Sequence, residues 1–81
     1  MLTVKILGPG CANCKKLEAI TRKVIVEIGV EAQVIKVTDY NEITKYPILS
    51  TPGLVVNEKL VSAGRIPGET EITKWLIEAQ N

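Results

Sequence analysis

The chain has 81 residues, 46% of them apolar and 23% charged, and a net charge of +1 with both signs scattered. That length allows one small domain, residues 1–81, and no more, and the even charge offers no footprint for nucleic acid or an anionic membrane. No apolar run approaches the roughly 20 residues that span a bilayer, and nothing after residues 1–7 resembles a signal-peptidase site, so the expected location is the cytoplasm. Leu2-Thr3-Val4-Lys5-Ile6-Leu7 is a β-rich run ended by Gly8-Pro9-Gly10, which predicts a first strand and a loop. From Cys11 the period changes: Leu17, Ile20, Thr21, Val24, Ile25 and Ile28 recur at steps of three and four and predict one apolar helix face. Glu18 to Arg22 and Lys23 to Glu27 are spaced for ion pairs on the opposite side, each worth about 0.3 kcal/mol. Gly29 is placed to stop the helix.

Glu31 to Val37 reads as a second strand. Asp39 followed by Glu42 matches an acidic capping box and predicts a short helix over Tyr40–Lys45, ended by Pro47. Leu54-Val55-Val56 and Leu60-Val61-Ser62-Ala63 are a third and fourth strand joined by a tight turn at Asn57-Glu58, where Asn57 can turn left-handed although the usual glycine is missing. Gly64 to Gly68 is a loop, and Glu69 and Glu71 charge the first turn of a last helix lined by Ile72, Trp75, Leu76 and Ala79. The order is strand, helix, strand, helix, strand, strand, helix. The first two strands should be parallel through a right-handed crossover and the last two antiparallel.

The chemistry sits in Cys11-Ala12-Asn13-Cys14, which holds the only two cysteines, while histidine is absent. Their spacing suits a disulfide closed across the first turn of a helix. Between a strand and a helix, such a pair reads as a redox motif. A helix N-terminus favours sulfur as an anion, which makes Cys11 the expected nucleophile and Cys14, one turn further in and more shielded, the resolving cysteine. The competing reading, two small buried hydrophobes, suits Cys14 better than Cys11. Gly8 and Gly10 let the loop turn sharply and keep side chains off the sulfur. Lys15, four residues after Cys11, is placed either to help hold a thiolate or simply to be solvated.

Gly8-Pro9-Gly10-Cys11-Ala12-Asn13-Cys14-Lys15-Lys16, followed by Ser50-Thr51-Pro52 before a hairpin, resembles the thioredoxin superfamily, in particular the small glutaredoxin-like thioredoxins of archaea and bacteria, often called redox-active disulfide proteins. The resemblance covers nearly the whole chain. It implies an α/β thioredoxin-like fold, a four-stranded mixed sheet flanked by three helices in the order βαβαββα, and dithiol–disulfide oxidoreductase activity. It also implies that Thr51-Pro52 is a cis peptide facing the cysteines and that backbone beside it pairs with the substrate's extended chain. The implied partners are protein disulfides and a reductase, the protein is expected to be a monomer, and no cofactor is expected beyond the Cys11–Cys14 disulfide. The candidate site is therefore Cys11 and Cys14, supported by Thr51, Pro52, Gly10, Ala12, Asn13 and Lys15.

The chain departs from the family motifs in several places. Gly10 stands where thioredoxins have a Trp, Ala12-Asn13 replaces Gly-Pro, and Lys5 lies near the place of a buried carboxylate. Ser62-Ala63-Gly64-Arg65 only loosely matches a glutathione-holding segment, and Arg65 is either a contact for a partner's carboxylate or a solvated loop residue. Two other functions compete. Soft thiolates also select copper(I), although copper carriers follow a different strand order; a closed zinc site needs four ligands, which two cysteines reach only by dimerising. A non-catalytic interaction domain with a cysteine redox switch is the other.

Overall fold

Burial along the strands tells which of them lie inside the sheet. In the computed structural model, which describes residues 1–80 and leaves Asn81 outside, β1 (Leu2–Leu7) and β3 (Gly53–Val56) are buried almost throughout. β2 (Ala32–Val37) and β4 (Lys59–Ala63) are only half covered. Strands covered on both faces read as near-continuous apolar runs and belong in the middle. The sheet order is accordingly β2-β1-β3-β4. β1 runs parallel to β2, with Val4 opposite Val34, and antiparallel to β3, with Ile6 opposite Leu54. β3 and β4 form the antiparallel hairpin, with a bulge between Leu54 and Val55. With α1 (Ala12–Ile28), α2 (Tyr40–Ile43) and α3 (Glu69–Ala79), the chain is an α/β thioredoxin-like fold in βαβαββα order.

The sheet separates two unequal cores. Leu2, Val4 and Ile6 from alternate positions of β1 join Leu54 and Val56 beneath α1 and α3, which contribute Leu17, Val24, Ile72 and Leu76. The other face is thin: Leu7, Val55 and Ile43 form its buried centre, with Val37, Tyr46, Ile48 and Leu60 around them. Lys5 also lies on this side, and its ammonium donates to Tyr46 Oη at 2.9 Å and pairs with Glu58 Oε1 at 2.6 Å. Tyr46 Oη donates in turn to Glu58 Oε2 at 3.0 Å. Glu58's hydrogen bond, then Tyr46's, holds the Lys5 ammonium above the ordinary lysine range, and the Lys5 hydrogen bond keeps Glu58 below its usual carboxylate value.

Cys11 stands at the tip of α1 as expected, as its N-cap in extended conformation, and the helix begins at Ala12. Several other local expectations are corrected. Glu18 and Arg22 do pair, at 2.9 Å, but Lys23 reaches across to Glu69 at 3.0 Å instead of to Glu27. α2 ends at Ile43, two residues short of Lys45: the Lys45 and Tyr46 N–H groups bond three residues back, to the Glu42 and Ile43 carbonyls at 3.2 and 3.1 Å, as the chain leaves the helix ahead of Pro47. Only half of the capping box forms: Asp39 Oδ1 accepts from the Asn41 N–H at 2.9 Å, while the Glu42 side chain pairs with Lys45 at 2.9 Å.

Candidate functional site

The C-terminal end of β1 aims the chain at the head of α1. Gly8 still pairs with the sheet, donating its N–H to the Val37 carbonyl at 2.9 Å, and Pro9 and Gly10 then leave it. Cys11 caps the helix with its sulfur, which accepts the backbone N–H of Cys14 at 3.3 Å. The two cysteines are joined as a disulfide, their Cα atoms 5.1 Å apart, within the span such a bond bridges without backbone movement. They are unequal. Cys11 is exposed, whereas Cys14 is 5% exposed and belongs to the buried stripe of α1 with Leu17, Thr21 and Val24.

The two glycines before the pair have different roles. Gly10 adopts φ +95°, which only glycine takes easily, in open space where a Cβ would touch nothing. Gly8 has ordinary backbone, but a Cβ there would run into Cys14 Sγ and approach Thr51 Cβ to 3.7 Å. The missing side chain at position 8 thus leaves room for the Cys14 sulfur.

The Thr51–Pro52 peptide is cis. Pro52 is buried, and its carbonyl accepts the Gly64 N–H at 2.9 Å, which ties the turn to the end of β4. Thr51 is half-buried, and its own N–H and C=O have no partner among the described residues. Ala12 and Asn13 lie exposed on the first turn of α1, without side-chain hydrogen bonds among the described residues, and Pro9 before them is exposed as well. Lys15 is exposed too, and its ammonium makes no ion pair among the described residues. The cysteines, Gly8, Gly10 and Thr51 are therefore brought together, while Lys15 faces water at their edge. Arg65 is not free for a partner: both guanidinium branches bind Glu71, at 3.3 and 2.5 Å, and that hydrogen bonding raises Arg65 and lowers Glu71 from their ordinary values.

The structure adds residues that the sequence reading passed over. Glu18, one turn below Cys14, lines a cleft of about 80 Å³ with Gly8, Gly10 and Cys14, and pairs with Arg22 at 2.9 Å and Lys36 at 3.8 Å. Its four-residue spacing from Cys14 was the available signal. Leu49 and Tyr40 flank a second cleft beside Thr51. No periodicity marks them, because neither lies on a regular apolar face.

Chemically, an exposed sulfur at a helix tip bonded to a shielded one is suited to reversible two-electron exchange. No group of three or more His, Cys, Asp or Glu side chains gathers among the described residues, so any soft metal would have only the two sulfurs as a start. No helix among them is long and apolar enough to cross a membrane.

Comparison with known proteins agrees with the geometry. The family described as thioredoxin domain matches residues 2–77. The chain is 36% identical over 76 residues to a thioredoxin of Methanocaldococcus jannaschii, covering 94% of this chain and 87% of that protein. It is also 36% identical over 76 residues to a thioredoxin of Methanothermobacter thermautotrophicus, covering 94% and 99% respectively.

Proposed function

The chain belongs to the thioredoxin family of thiol–disulfide oxidoreductases, and from that premise we propose that Cys11 is its nucleophile and Cys14 its resolving cysteine. The observation that carries this assignment is their unequal exposure across one disulfide, with Cys11 open at the helix cap and Cys14 5% exposed beneath it. In the reduced protein, the N–H that Cys14 aims at the Cys11 sulfur and the positive end of α1 both favour the Cys11 thiolate. That thiolate attacks one sulfur of a substrate disulfide. The substrate S–S bond breaks, one substrate thiolate leaves and takes up a proton, and a mixed disulfide joins Cys11 to the other sulfur. Cys14, after losing its proton, attacks Cys11 and releases the second substrate thiol. Two electrons and two protons have then passed to the substrate, and the Cys11–Cys14 bond has closed.

The family implies protein disulfides as the general partners. On this reading the substrate chain lies along the exposed surface of Pro9, Ala12 and Asn13 and uses the unpaired N–H and C=O of Thr51, beside Pro52, as hydrogen-bonding edge. Gly10 and Lys15 border the approach to the sulfur. A separate reductase reopens the disulfide, and the chain works as one unit, a monomer of the cytoplasm, with no bound cofactor.

Trapping tests the roles. Cys14→Ser should accumulate mixed disulfides with a protein disulfide substrate, resolved by added dithiol, whereas Cys11→Ser should accumulate none. Equal trapping by both variants overturns the assignment. Trapping without any turnover by the unmodified protein would mark a switch domain instead.

A further inference from the structure

We infer that lysines on both sides of the cysteine pair select among substrates, favouring a disulfide whose neighbouring residues carry carboxylates. The inference rests on the reading of Cys11 as the attacking sulfur, which fixes where a substrate must dock. Lys15 and Lys16 follow the pair directly on α1, both are exposed, and neither makes an ion pair among the described residues. They diverge across the helix. Lys15 lines the cleft that holds Gly8 and Cys14, on the side of β2 with Lys36 and Thr38. Lys16 stands about two turns before Lys23, on the face from which Lys23 reaches Glu69 of α3. A substrate chain laid over the sulfurs therefore has a cation on either flank.

Among the described residues, no carboxylate neutralises the two. Glu18, the next acid along α1, is shared between Arg22 at 2.9 Å and Lys36 at 3.8 Å, so that trio carries a surplus positive charge of its own. Glu42, Glu69 and Glu71 are taken by Lys45, Lys23 and Arg65. Asp39 is the remaining acid near this end, engaged as the cap of α2, and its one charge does not cancel the surplus. The other unpaired carboxylates, Glu27, Glu31 and Glu78, lie at the opposite end, near the C-termini of α1 and α3 and the start of β2. Lys59 and the Met1 amine offset part of them there. The net charge of +1 is thus unevenly divided, with the excess of cations at the end that reacts. Such charges steer a partner of opposite sign and decide which partner is accepted more than how tightly it is held. An extended substrate advances about 3.3 Å per residue, so a carboxylate two or three positions from its cysteine reaches one lysine or the other. The occupant is an acidic, disulfide-bearing segment of another protein, and the lysines choose it without entering the exchange.

The test uses short peptides with one cysteine held as a mixed disulfide with an uncharged chromophoric thiol, flanked by aspartate, asparagine or lysine. At about 0.01 M ionic strength, where charges act over about 30 Å, the reduced, full-length protein should favour aspartate over asparagine by about fivefold in kcat/KM. The lysine peptide should fall below both. The preference should shrink toward one near 1 M salt, where that range drops to about 3 Å. Lys15→Gln combined with Lys16→Gln should abolish it at low salt, whereas Lys59→Gln, at the opposite end, should leave it intact. A ratio near one at every salt concentration, or one that survives the double substitution, overturns the inference alone, since the asparagine peptide is still reduced. Equal slowing of all three peptides by Lys15→Gln, with the ratio kept, would give Lys15 to the Cys11 thiolate and also overturn the proposal. Failure on every peptide and on a simple aromatic disulfide overturns the assignment of Cys11 with it.

Discussion

The two faces of the sheet are built to different standards. Beneath α1 and α3 lie nine buried aliphatic residues, among them Val4, Ile6, Leu17, Leu54 and Leu76, with Ile20, Val34, Val61 and Trp75 packed around them. On the α2 side there are three, Leu7 and Val55 from the sheet and Ile43 from α2 itself, and the strip beside them is given to Lys5, Tyr46 and Glu58. The first face has the depth that makes a small fold stable. The second is one short helix and its connecting turns, and it is from this side that the chain bends through Leu49 and Thr51 to reach the cysteines. Rigidity and reach are thus divided: α1 is held from below by the deep core, while the segment proposed to meet substrate hangs from the shallow one.

The largest expected effect separates the two cores directly. Leu76→Ala should cost about 3–5 kcal/mol, a large part of the roughly 5–15 kcal/mol of a typical domain, because Leu76 is fully buried in the deeper core. Ile43→Ala should cost about 2 kcal/mol, since the short α2 can settle inward. Chemical denaturation measures both, and equal losses would break the comparison. A smaller effect of opposite sign lies within the deep core. Thr21 is fully buried on the apolar stripe of α1, and its hydroxyl has no hydrogen-bond partner among the described residues. Thr21→Val should therefore raise stability by about 1 kcal/mol in the same assay, and a loss of that size would show that the hydroxyl is satisfied after all.

The smallest effect belongs to the shallow face and depends on pH. Glu58 is held below its ordinary 4.5 chiefly by the Lys5 hydrogen bond, so its contribution is fully present above 4.5 and fades as pH falls through the lower folded value. Lys5 is raised above 10.5, so its contribution is complete below 10.5 and fades as pH rises through the folded value. Both groups are solvent-reachable and the effect is correspondingly modest. Glu58→Gln should flatten stability at both extremes of a pH series followed by thermal melting. An unchanged acid limb would mean that the Lys5 pairing contributes nothing in solution.

Much of this was legible in the chain itself. The apolar period of α1, the strand runs and the cysteine spacing are local features, and local features survive reading in one dimension. Cys11 at the helix tip followed from Gly8-Pro9-Gly10 before it. Partners across space did not follow. Lys23 found Glu69 and Arg65 found Glu71 because α3 returns alongside α1 and the end of β4, which no spacing within one helix announces. The place of β1 between β2 and β3 was equally silent in the sequence, yet it decides that Lys5 faces Tyr46 and Glu58. Leu49 escaped notice because a lone leucine in a turn looks like filler until its full exposure is seen.

The hairpin turn carries one last consequence. Asn57 and Glu58 both take positive φ, +49° and +68°, a geometry in which glycine at the second place would relieve about 1 kcal/mol or more of crowding. A glycine there could not grip Lys5. The bend is therefore made by a residue chosen for its arm and not for its suppleness, and β3 and β4 on their own would be reluctant to fold back. The ribbon borrows its shape from the strand it lies against, so a peptide spanning residues 53–63 cut loose from β1 should wander in solution.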